Sequence, residues 1–430
     1  MNGRATERRN DVRVLFTSIP VTSHILNMVP LAWAMQSAGH DVRFAVRPEA
    51  TATVAGTGLQ PLAVGRPLDM GAFMERESVI AGLGFDISED PATLDAERTL
   101  GILTWYTTVF LQNVNDETFV DDLVDAARAW RPGLVVWDAL SYAGPVAARA
   151  CGADHARLLF GLDLLARMRH RFQEQRRGLP PEARDDVLAE WLDVHLRRHG
   201  SAFTEADATG DWTVDPMPPP LALDSGLPAG LPRIAMRQTP YNGPSQVPRW
   251  LREPPSGRPR ICLTLGLSLR EMWDAAGLSV GDLLAAVADL DVDVVTTLPP
   301  DDEARHALPS NVRAVDFVPL TALLPSCAAI VHHGGAGTLH SAVAHGVPQL
   351  IVPDAVWDPR LLGERLADLG AGALVTPDRL TPERLRRELL RLLEDPSVPA
   401  AAARLSRSAL TSPGPDSVAR VLTSRRHSRK

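Results

Sequence analysis

The densest group of residues able to do chemistry lies in the last third of the chain, where an apolar run breaks into a glycine-rich turn. Residues 332–338 read His-His-Gly-Gly-Ala-Gly-Thr and lead into an amphipathic segment, an order that predicts a strand, a tight loop and the start of a helix. Glycines let the backbone approach a ligand closely, and the first N–H groups of a helix favour an anion. The motif therefore predicts a pyrophosphate site, with the histidine and threonine side chains as further donors.

Two more candidate residues, His24 and Asp138, come after apolar runs in the first half of the chain. The carboxyl ends of parallel strands meet at one edge of a sheet, where sites are usually built. A histidine there can take a proton from a hydroxyl group as that group attacks, and a nearby aspartate can fix its tautomer. The residues alone leave two alternatives open: a structural histidine, and an aspartate that caps the next helix.

The elements that must position these side chains follow from the hydrophobic pattern. A strand at 12–17, a helix at 25–39 and a strand at 40–46 form a βαβ unit, which predicts a parallel sheet with right-handed crossovers. A further strand at 134–137 leads into a helix that begins near Ala143. In the second half we expect helices between strands near 261–265, 292–297, 312–315, 329–332 and 349–352.

The remaining segments differ in composition. Residues 63–118 mix glycine, acidic and aromatic residues and predict loops and helices rather than sheet. Residues 163–200 are rich in arginine and glutamate and predict a solvated helix pair. Proline and glycine concentrate between 239 and 259, so we expect the linker between two α/β domains there.

The overall composition is that of a globular protein. The chain has 430 residues, which suggests two domains of about 200 residues each, and 45% of them are hydrophobic and 22% charged. A net charge of −8 argues against general nucleic-acid binding. Three distant cysteines without metal-type spacing, a polar N-terminus and the lack of a long apolar run predict a cytoplasmic protein with reduced cysteines and no membrane span.

The segment 332–372, with Asp358 and a Gly-Ala-Gly turn at 370–372, resembles the nucleotide-sugar signature of inverting GT-B-fold glycosyltransferases. More narrowly, it is similar to the bacterial enzymes that attach deoxysugars to macrolides, anthracyclines and other polyketides. The likeness extends to 12–48 and 261–268, so it spans most of the chain. It implies an α/β protein with two Rossmann-like parallel-sheet domains facing each other across a cleft.

The same resemblance implies the domain boundaries. Residues 1–238 are expected to form an acceptor-binding domain, and residues 239–259 the proline-rich linker. Residues 260–405 are expected to form the nucleotide-sugar-binding domain. The remaining residues, 406–430, are expected to form a C-terminal helix and tail that pack back on the N-terminal domain.

The resemblance also implies roles for particular residues. His24 becomes the general base that deprotonates the acceptor, with Asp138 as its partner. Phe317 and Val318 match the loop that holds the pyrimidine base, although a core phenylalanine is the alternative, and Ser268 is expected to reach the phosphates or the ribose. The expected donors to the diphosphate are the side chains of His333 and Thr338 and the backbone N–H groups of Gly335, Ala336, Gly337 and Thr338.

Asp358 lies where related enzymes hold the hydroxyl groups of the sugar, usually with an Asp-Gln pair. Here the next residue is Pro359, whose side chain offers no donor or acceptor. A pocket that lacks a polar partner suits a sugar that lacks a hydroxyl group, because unmatched polar groups are costly to bury. We therefore expect a deoxysugar carried by thymidine diphosphate (TDP) rather than by uridine diphosphate.

Four aromatic residues fall in the segment that faces the acceptor in related enzymes: Phe85, Trp105, Tyr106 and Phe110. Flat apolar walls there would suit a polyketide aglycone. An ordinary hydrophobic core is the alternative interpretation.

Together, these features predict an inverting glycosyltransferase that moves a deoxysugar from a TDP-sugar to a polyketide or similar aglycone. No cofactor and no metal are expected, since the Asp-x-Asp spacing within 289–293 lies at a helix-to-strand junction, where turn and cap roles are more usual. The expected partners are the TDP-sugar and the aglycone, without nucleic acid or membrane. An activator protein and a homodimer stay open.

Other functions also stay open on the sequence alone. A nicotinamide-dependent oxidoreductase is disfavoured, because residues 17–24 contain no glycine where a dinucleotide fingerprint requires it. A nucleotide-sugar epimerase or hydrolase of the same fold is a stronger alternative. A non-catalytic nucleotide-binding helper is the third, although His24, His333, Thr338 and Asp358 are all present, which argues against a decayed site.

Overall fold

The computed structural model describes residues 11–73, 84–223, 226–253, 257–264, 284, 286–297, 308–353 and 357–424. Their contacts divide the chain into two compact units. The first comprises the described residues of Met1–Pro216, Leu223–Gln238 and Pro413–Lys430, and the second those of Met217–Ala222 and Thr239–Ser412. Ser268, one of the predicted phosphate contacts, lies outside the described residues.

The first unit is built on a parallel sheet that has seven strands among the described residues, in the order β3-β2-β1-β4-β5-β6-β7. This is a Rossmann-type order, in which the direction of winding reverses between β1 and β4. The strands are β1 (Arg13–Thr17), β2 (Asp41–Val46), β3 (Gln60–Ala63), β4 (Leu134–Asp138), β5 (Asp154–Leu158), β6 (Trp212–Asp215) and β7 (Arg233–Ala235).

Helices cover this sheet, and the central strand β4 is therefore buried along its whole length. A π-helical turn, Tyr106–Leu111, joins the third and fourth helices. The helices are α1 (Thr22–Ser37), α2 (Thr51–Gly56), α3 (Ala96–Trp105), α4 (Gln112–Val114), α5 (Glu117–Trp130), α6 (Ala143–Cys151), α7 (Leu164–Arg176), α8 (Val187–Arg198) and α9 (Glu205–Thr209).

The second unit repeats the arrangement, with six parallel strands among its described residues in the order β10-β9-β8-β11-β12-β13. The strands are β8 (Arg260–Thr264), β9 (Asp293–Thr296), β10 (Val312–Ala314), β11 (Cys327–His332), β12 (Gln349–Ile351) and β13 (Gly372–Leu374). The helices are α10 (Leu320–Leu323), α11 (Ala336–His345), α12 (Pro359–Asp368), α13 (Pro382–Glu394) and α14 (Ser397–Leu410).

The last described helix, α15 (Pro415–Ser424), belongs to the first unit and packs on α1. Short 3₁₀ turns, most of which begin at a proline whose fixed φ suits a first helical position, join other elements. They are Pro48–Ala50, Pro91–Thr93, Pro181–Ala183, Arg249–Arg252, Leu324–Ser326 and Pro377–Arg379. Among the described residues, no helix combines the length and the apolar character needed to cross a bilayer.

The predicted parallel α/β architecture is confirmed in both units, and every strand predicted from the sequence is present within a few residues. The sequence does not predict β3, β5, β6, β7 or β13. Strands β3 and β7 lie at sheet edges and are only three or four residues long. The pattern of β5 is interrupted by His155 and Arg157, which are buried because Trp137 donates to the first and Asp163 pairs with the second.

A close approach between α6 and β4 fixes the strand that ends at Asp138. A Cβ atom on Gly144 would collide with the side chain of Trp137, which is fully buried. We predict that Gly144→Ala lowers the free energy of unfolding by about 1–3 kcal/mol through overpacking, as measured by denaturant unfolding. Gly178→Ala is the matched control, because the nearest atom to its Cβ would be 3.5 Å away. Equal stability of the two variants would contradict this packing argument.

Candidate active site

His24 and Asp138 lie within hydrogen-bonding distance of each other. His24 is in the first turn of α1, and Asp138 is the last residue of β4, which pairs with β1. Nδ1 of His24 is 2.8 Å from Oδ2 of Asp138, and Oδ1 of Asp138 accepts the N–H of Leu140 at 3.0 Å. A helix cap at Asp138 is not realised, because α6 begins only at Ala143.

The geometry of this pair leaves one ring nitrogen of His24 able to accept a proton. Asp138 is fully buried, whereas the His24 side chain is 13% exposed. An ionised carboxylate can only accept, so Nδ1 of His24 carries the hydrogen and Nε2 keeps its lone pair. The carboxylate would also stabilise the imidazolium that forms after proton transfer. The arrangement can therefore remove a proton from a hydroxyl group.

Phe160, which no motif in the sequence marks, packs against the imidazole of His24. The ring centroids of Phe160 and His24 are 4.2 Å apart, with the planes at 49°. Phe160 follows β5, the strand next to β4. The sequence carries one signal for this contact, because an aromatic residue lies just after β5, the strand beside β4. That signal could not be used, since the sequence does not predict β5. The phenyl ring therefore packs beside the imidazole that bonds to Asp138.

The four aromatic residues expected to face the acceptor lie in one helical segment and the loop before it. Trp105 ends α3, Tyr106 and Phe110 are in the π-helical turn, and Phe85 precedes the segment; all four are half-buried. The ring of Phe110 contacts Phe73, with centroids 5.7 Å apart. A π-helical turn is uncommon and is often found at functional sites.

Three of these residues are in contact with neighbouring groups that fix them. Phe85 packs over Gly101, where a Cβ atom would lie 3.0 Å from the phenyl ring. Trp105 and Tyr106 pack edge to face, with centroids 4.7 Å apart. Burial, with a smaller contribution from the charge of Asp86, raises the pKa of Tyr106 above its usual value, so its hydroxyl group stays protonated.

Asn115, which likewise belongs to no motif, joins this aromatic segment to the turn after Asp138 by hydrogen bonds. Its Nδ2 donates to the carbonyl groups of Leu111 and Leu140, each at 2.9 Å, and its Oδ1 accepts the N–H of Ala143 at 3.0 Å. The Asn115 side chain is 1% exposed. One buried amide therefore fixes the end of the aromatic segment relative to the partner of His24.

The glycine-rich motif forms the predicted strand, loop and helix, with residues 333–335 between β11 and α11. Gly334 has a φ of +98°, and a Cβ atom there would lie 2.5 Å from Cβ of Pro359. Gly335 is the N-cap of α11, and a Cβ atom there would lie 2.6 Å from Nε2 of His333. The His333 imidazole therefore lies against the start of the helix, where only glycine leaves room for it.

The start of α11 presents backbone donors that bond to none of the described residues. Within the described part of the chain, the N–H groups of Gly335, Ala336 and Gly337 donate to no acceptor, whereas the N–H of Thr338 donates to the Gly335 carbonyl at 3.0 Å. Gly337 is exposed, with open space around it. Unpaired N–H groups and the helix dipole together favour an anion. Thr338 would contribute its hydroxyl rather than its backbone.

His332 does not share this role. It is fully buried, its Nδ1 accepts the N–H of Gly334 at 3.1 Å, and its Nε2 lies 2.9 Å from Oε1 of Gln349. Burial, with a smaller contribution from His333, lowers the pKa of His332 to about 3, so the ring stays neutral. The expectation that both histidines donate to the anion is wrong for His332, because both of its ring nitrogens are engaged. It holds the Gly334 turn instead.

The predicted base and sugar contacts differ in exposure. Phe317 is 57% exposed just before α10, so it is not a core residue, whereas Val318 is 3% exposed and packs in the core of the second unit. Val318 can therefore offer only backbone groups to a ligand. Asp358 is 5% exposed and directly precedes α12, whose first residue is Pro359. Trp357 before it has a φ of +70°, a conformation that bulky residues rarely adopt away from functional sites.

Comparison with known proteins supplies the wider context. Two family models match, "Erythromycin biosynthesis protein CIII-like, N-terminal domain" over residues 33–266 and the corresponding C-terminal domain over residues 281–424. Aclacinomycin-T 2-deoxy-L-fucose transferase of Streptomyces galilaeus is 47% identical over 96% of this chain and 95% of the relative. The 10-deoxymethynolide desosaminyltransferase of Streptomyces venezuelae is 45% identical over 94% of this chain and 95% of the relative.

A solved structure is also similar over its full length. The crystal structure of the glycosyltransferase VinC in complex with DTDP is 43% identical in sequence and superposes with a TM-score of 0.87. The match covers 96% of this chain and 100% of VinC.

Two buried histidines make the stability of the protein depend on pH. Burial lowers the pKa of His332 to about 3 and that of His340 to about 4, from the ordinary value of 6.5. At a pH below 6.5 but above these lowered pKa values, the unfolded chain binds protons that the folded chain does not. The free energy of unfolding therefore falls as the pH drops from about 6.5. Each histidine should account for a loss of about 2 kcal/mol between pH 7 and pH 5.

We predict that His340→Leu removes the contribution of His340 to this loss. Nε2 of His340 has no hydrogen-bond partner among the described residues, so the substitution forfeits no bond at that atom. The measurement is the free energy of unfolding at pH 7 and pH 5. His170→Leu, at a partly exposed histidine of the first unit, is the control and should keep the wild-type difference. A wild-type pH difference in H340L would refute the assignment.

Proposed function

The chain belongs to the erythromycin biosynthesis protein CIII-like family of glycosyltransferases, and we propose that it transfers a deoxysugar from TDP to a hydroxyl group of a polyketide aglycone with inversion at the anomeric carbon. The family, the glycosyltransferase activity and the GT-B fold expected from the sequence are confirmed. The observation that carries the finer proposal is the His24–Asp138 pair at 2.8 Å, because it leaves Nε2 of His24 able to take a proton.

In the proposed reaction, the acceptor hydroxyl group gives its proton to Nε2 of His24 while its oxygen forms a bond to the anomeric carbon. The bond from that carbon to the phosphate oxygen breaks on the opposite face, and its electron pair leaves with TDP. Asp138 stabilises the imidazolium that results. General-base catalysis of this kind is usually worth about 10²- to 10⁴-fold in rate.

The second unit would bind the donor. The start of α11, with the side chains of His333 and Thr338, would hold the diphosphate and stabilise the charge that grows on it as the bond breaks. The exposed ring of Phe317 offers an aromatic face to the base. The DTDP in the VinC structure supports a thymidine nucleotide for this chain.

The sugar is proposed from Asp358 and its neighbour. Asp358 would accept from a sugar hydroxyl group, and Pro359, packed on Gly334, supplies no second polar partner. A sugar that lacks a hydroxyl group leaves no polar group unpaired there. The relative from Streptomyces galilaeus is named for 2-deoxy-L-fucose, which supports the same class of sugar.

The acceptor would be bound by the first unit. Phe85, Trp105, Tyr106 and Phe110 provide half-buried aromatic surface, which suits a flat apolar aglycone. The relative from Streptomyces venezuelae is named for 10-deoxymethynolide, and that name supports a polyketide-type acceptor. An activator protein and a homodimer stay open, and turnover and solution mass of the purified chain alone would decide them.

We also propose that the reaction needs no metal ion. The acidic run at the start of β9 is engaged by arginine side chains: Asp289 pairs with Arg386, and Asp293 lies 3.6 Å from the guanidinium of Arg258. Carboxylates neutralised in this way serve the fold rather than a cation. Transfer that continues in the presence of a strong chelator would support this, and loss of transfer restored by Mg²⁺ would contradict it.

Replacement of His24 should separate catalysis from nucleotide binding. We predict that His24→Ala lowers kcat by about 10²- to 10⁴-fold with little change in the dissociation constant for TDP, because the donor groups lie in the second unit. The measurements are turnover with a TDP-deoxysugar and an accepted aglycone, and calorimetry with TDP. His170→Ala, at a partly exposed histidine of the first unit, is the control and should keep the wild-type turnover. Normal turnover in H24A would refute the base assignment.

A donor screen tests the substrate class. We predict that TDP-deoxysugars support faster transfer than UDP-glucose, because Asp358 and Pro359 together provide one polar partner rather than two. Product formation is followed by mass spectrometry with and without the aglycone. Faster transfer from UDP-glucose than from every TDP-deoxysugar would remove the deoxysugar proposal. Sugar release at full rate without any acceptor would instead favour a hydrolase or epimerase.

A further inference from the structure

We propose that Asn242 is a positioning residue of the donor site, which sets the separation between the base loop at 317–320 and the diphosphate loop at 333–338. The inference rests on the proposed function, because it requires a nucleoside diphosphate to span these two loops. Asn242 lies in the proline-rich segment that the sequence analysis interprets only as a linker, and it belongs to the second unit together with both loops.

One side of the Asn242 amide caps α10. The N-cap residue of that helix is Pro319, whose side chain has no acceptor, so the N–H groups of the first turn need another partner. Oδ1 of Asn242 accepts the N–H of Thr321 at 3.0 Å. This bond holds the point at which the base loop, with the exposed Phe317, enters its helix.

The other side of the amide reaches the diphosphate helix. Nδ2 of Asn242 donates to Oγ of Ser341 at 3.4 Å. Ser341 is fully buried and donates its own hydroxyl hydrogen to the carbonyl of Gly337 at 2.7 Å, so its oxygen is left to accept. The orientation of the amide is therefore fixed. Its oxygen must face the backbone N–H, and its nitrogen must face the serine, which already donates its own hydrogen.

A continuous chain of hydrogen bonds therefore runs from the start of α10, through Asn242 and Ser341, to the start of α11. A nucleotide carries its base and its diphosphate at a limited range of separations. Two subsites held at a matching separation bind such a ligand more tightly than two subsites that move independently, because less freedom is lost on binding. Loss of Asn242 should therefore weaken a ligand that fills both subsites and spare a fragment that fills only one.

The test compares TDP with its fragments. The dissociation constants of TDP, thymidine and inorganic pyrophosphate are measured by calorimetry or ligand-observed NMR for the wild type, Asn242→Ala and Ser341→Ala. For TDP we expect a rise of roughly threefold to tenfold in both variants, the value of one or two hydrogen bonds. The values for thymidine and pyrophosphate should stay close to wild type. Because both residues act through one chain, the double variant should lose no more than N242A alone.

Asn311→Ala is the control for a purely structural effect. Asn311 is a buried asparagine of the same unit whose Nδ2 donates to the carbonyl groups of Val287 and Val292, so its loss should lower the melting temperature without a selective loss of TDP. Wild-type TDP affinity in N242A, or parallel weakening of all three ligands as the melting temperature falls, would overturn the positioning role. A wild-type chain that binds no TDP would overturn the proposed donor and this inference with it.

Discussion

The predicted diphosphate site depends on three backbone N–H groups at the start of α11 that donate to no acceptor among the described residues. An unpaired buried N–H costs about 1–3 kcal/mol, so such groups persist where solvent or an anion can meet them. The residues around these N–H groups keep them accessible. Gly335 has no Cβ, so His333 can lie over the helix start, and Gly334 is held in its turn by the neutral ring of His332.

The first unit also brings the end of a strand next to the start of a helix. There the group at the helix start is a side chain, that of His24, rather than the backbone. Its parallel strands bring the end of β4 next to the start of α1, so Asp138 meets His24 across 114 positions of sequence. A fully buried carboxylate is costly unless its oxygens are bonded. Here one oxygen faces the imidazole and the other accepts the N–H of Leu140, so the contact that orients the imidazole also helps to keep the carboxylate in place.

Two asparagines connect these centres to their surroundings. Asn115 bonds to the turn after Asp138, and Asn242 bonds to the first turn of α10 and to Ser341 within α11. An amide side chain has both a donor and an acceptor, so it can satisfy a carbonyl or hydroxyl on one side and an N–H on the other. Neither position belongs to a motif, and each has partners on a segment distant in sequence.

The sequence by itself determined the parallel α/β architecture, the strand, loop and helix at 332–338, and the placement of His24 and Asp138 after strands. These features depend on local periodicity, on glycine and on residue order, which a single chain displays directly. Residues 332 and 333 show where such information ends: as adjacent histidines they are chemically alike, yet one is buried between Gly334 and Gln349 and the other lies against the helix start.

Only the tertiary structure decided that division, the contact of Phe160 with His24, and the presence of β5 with its buried His155 and Arg157. The physical reason is the same in each case. Burial of a polar side chain, or the contact of an aromatic ring, depends on partners supplied by other strands and helices, and their identity is set by packing in three dimensions rather than by neighbours along the chain.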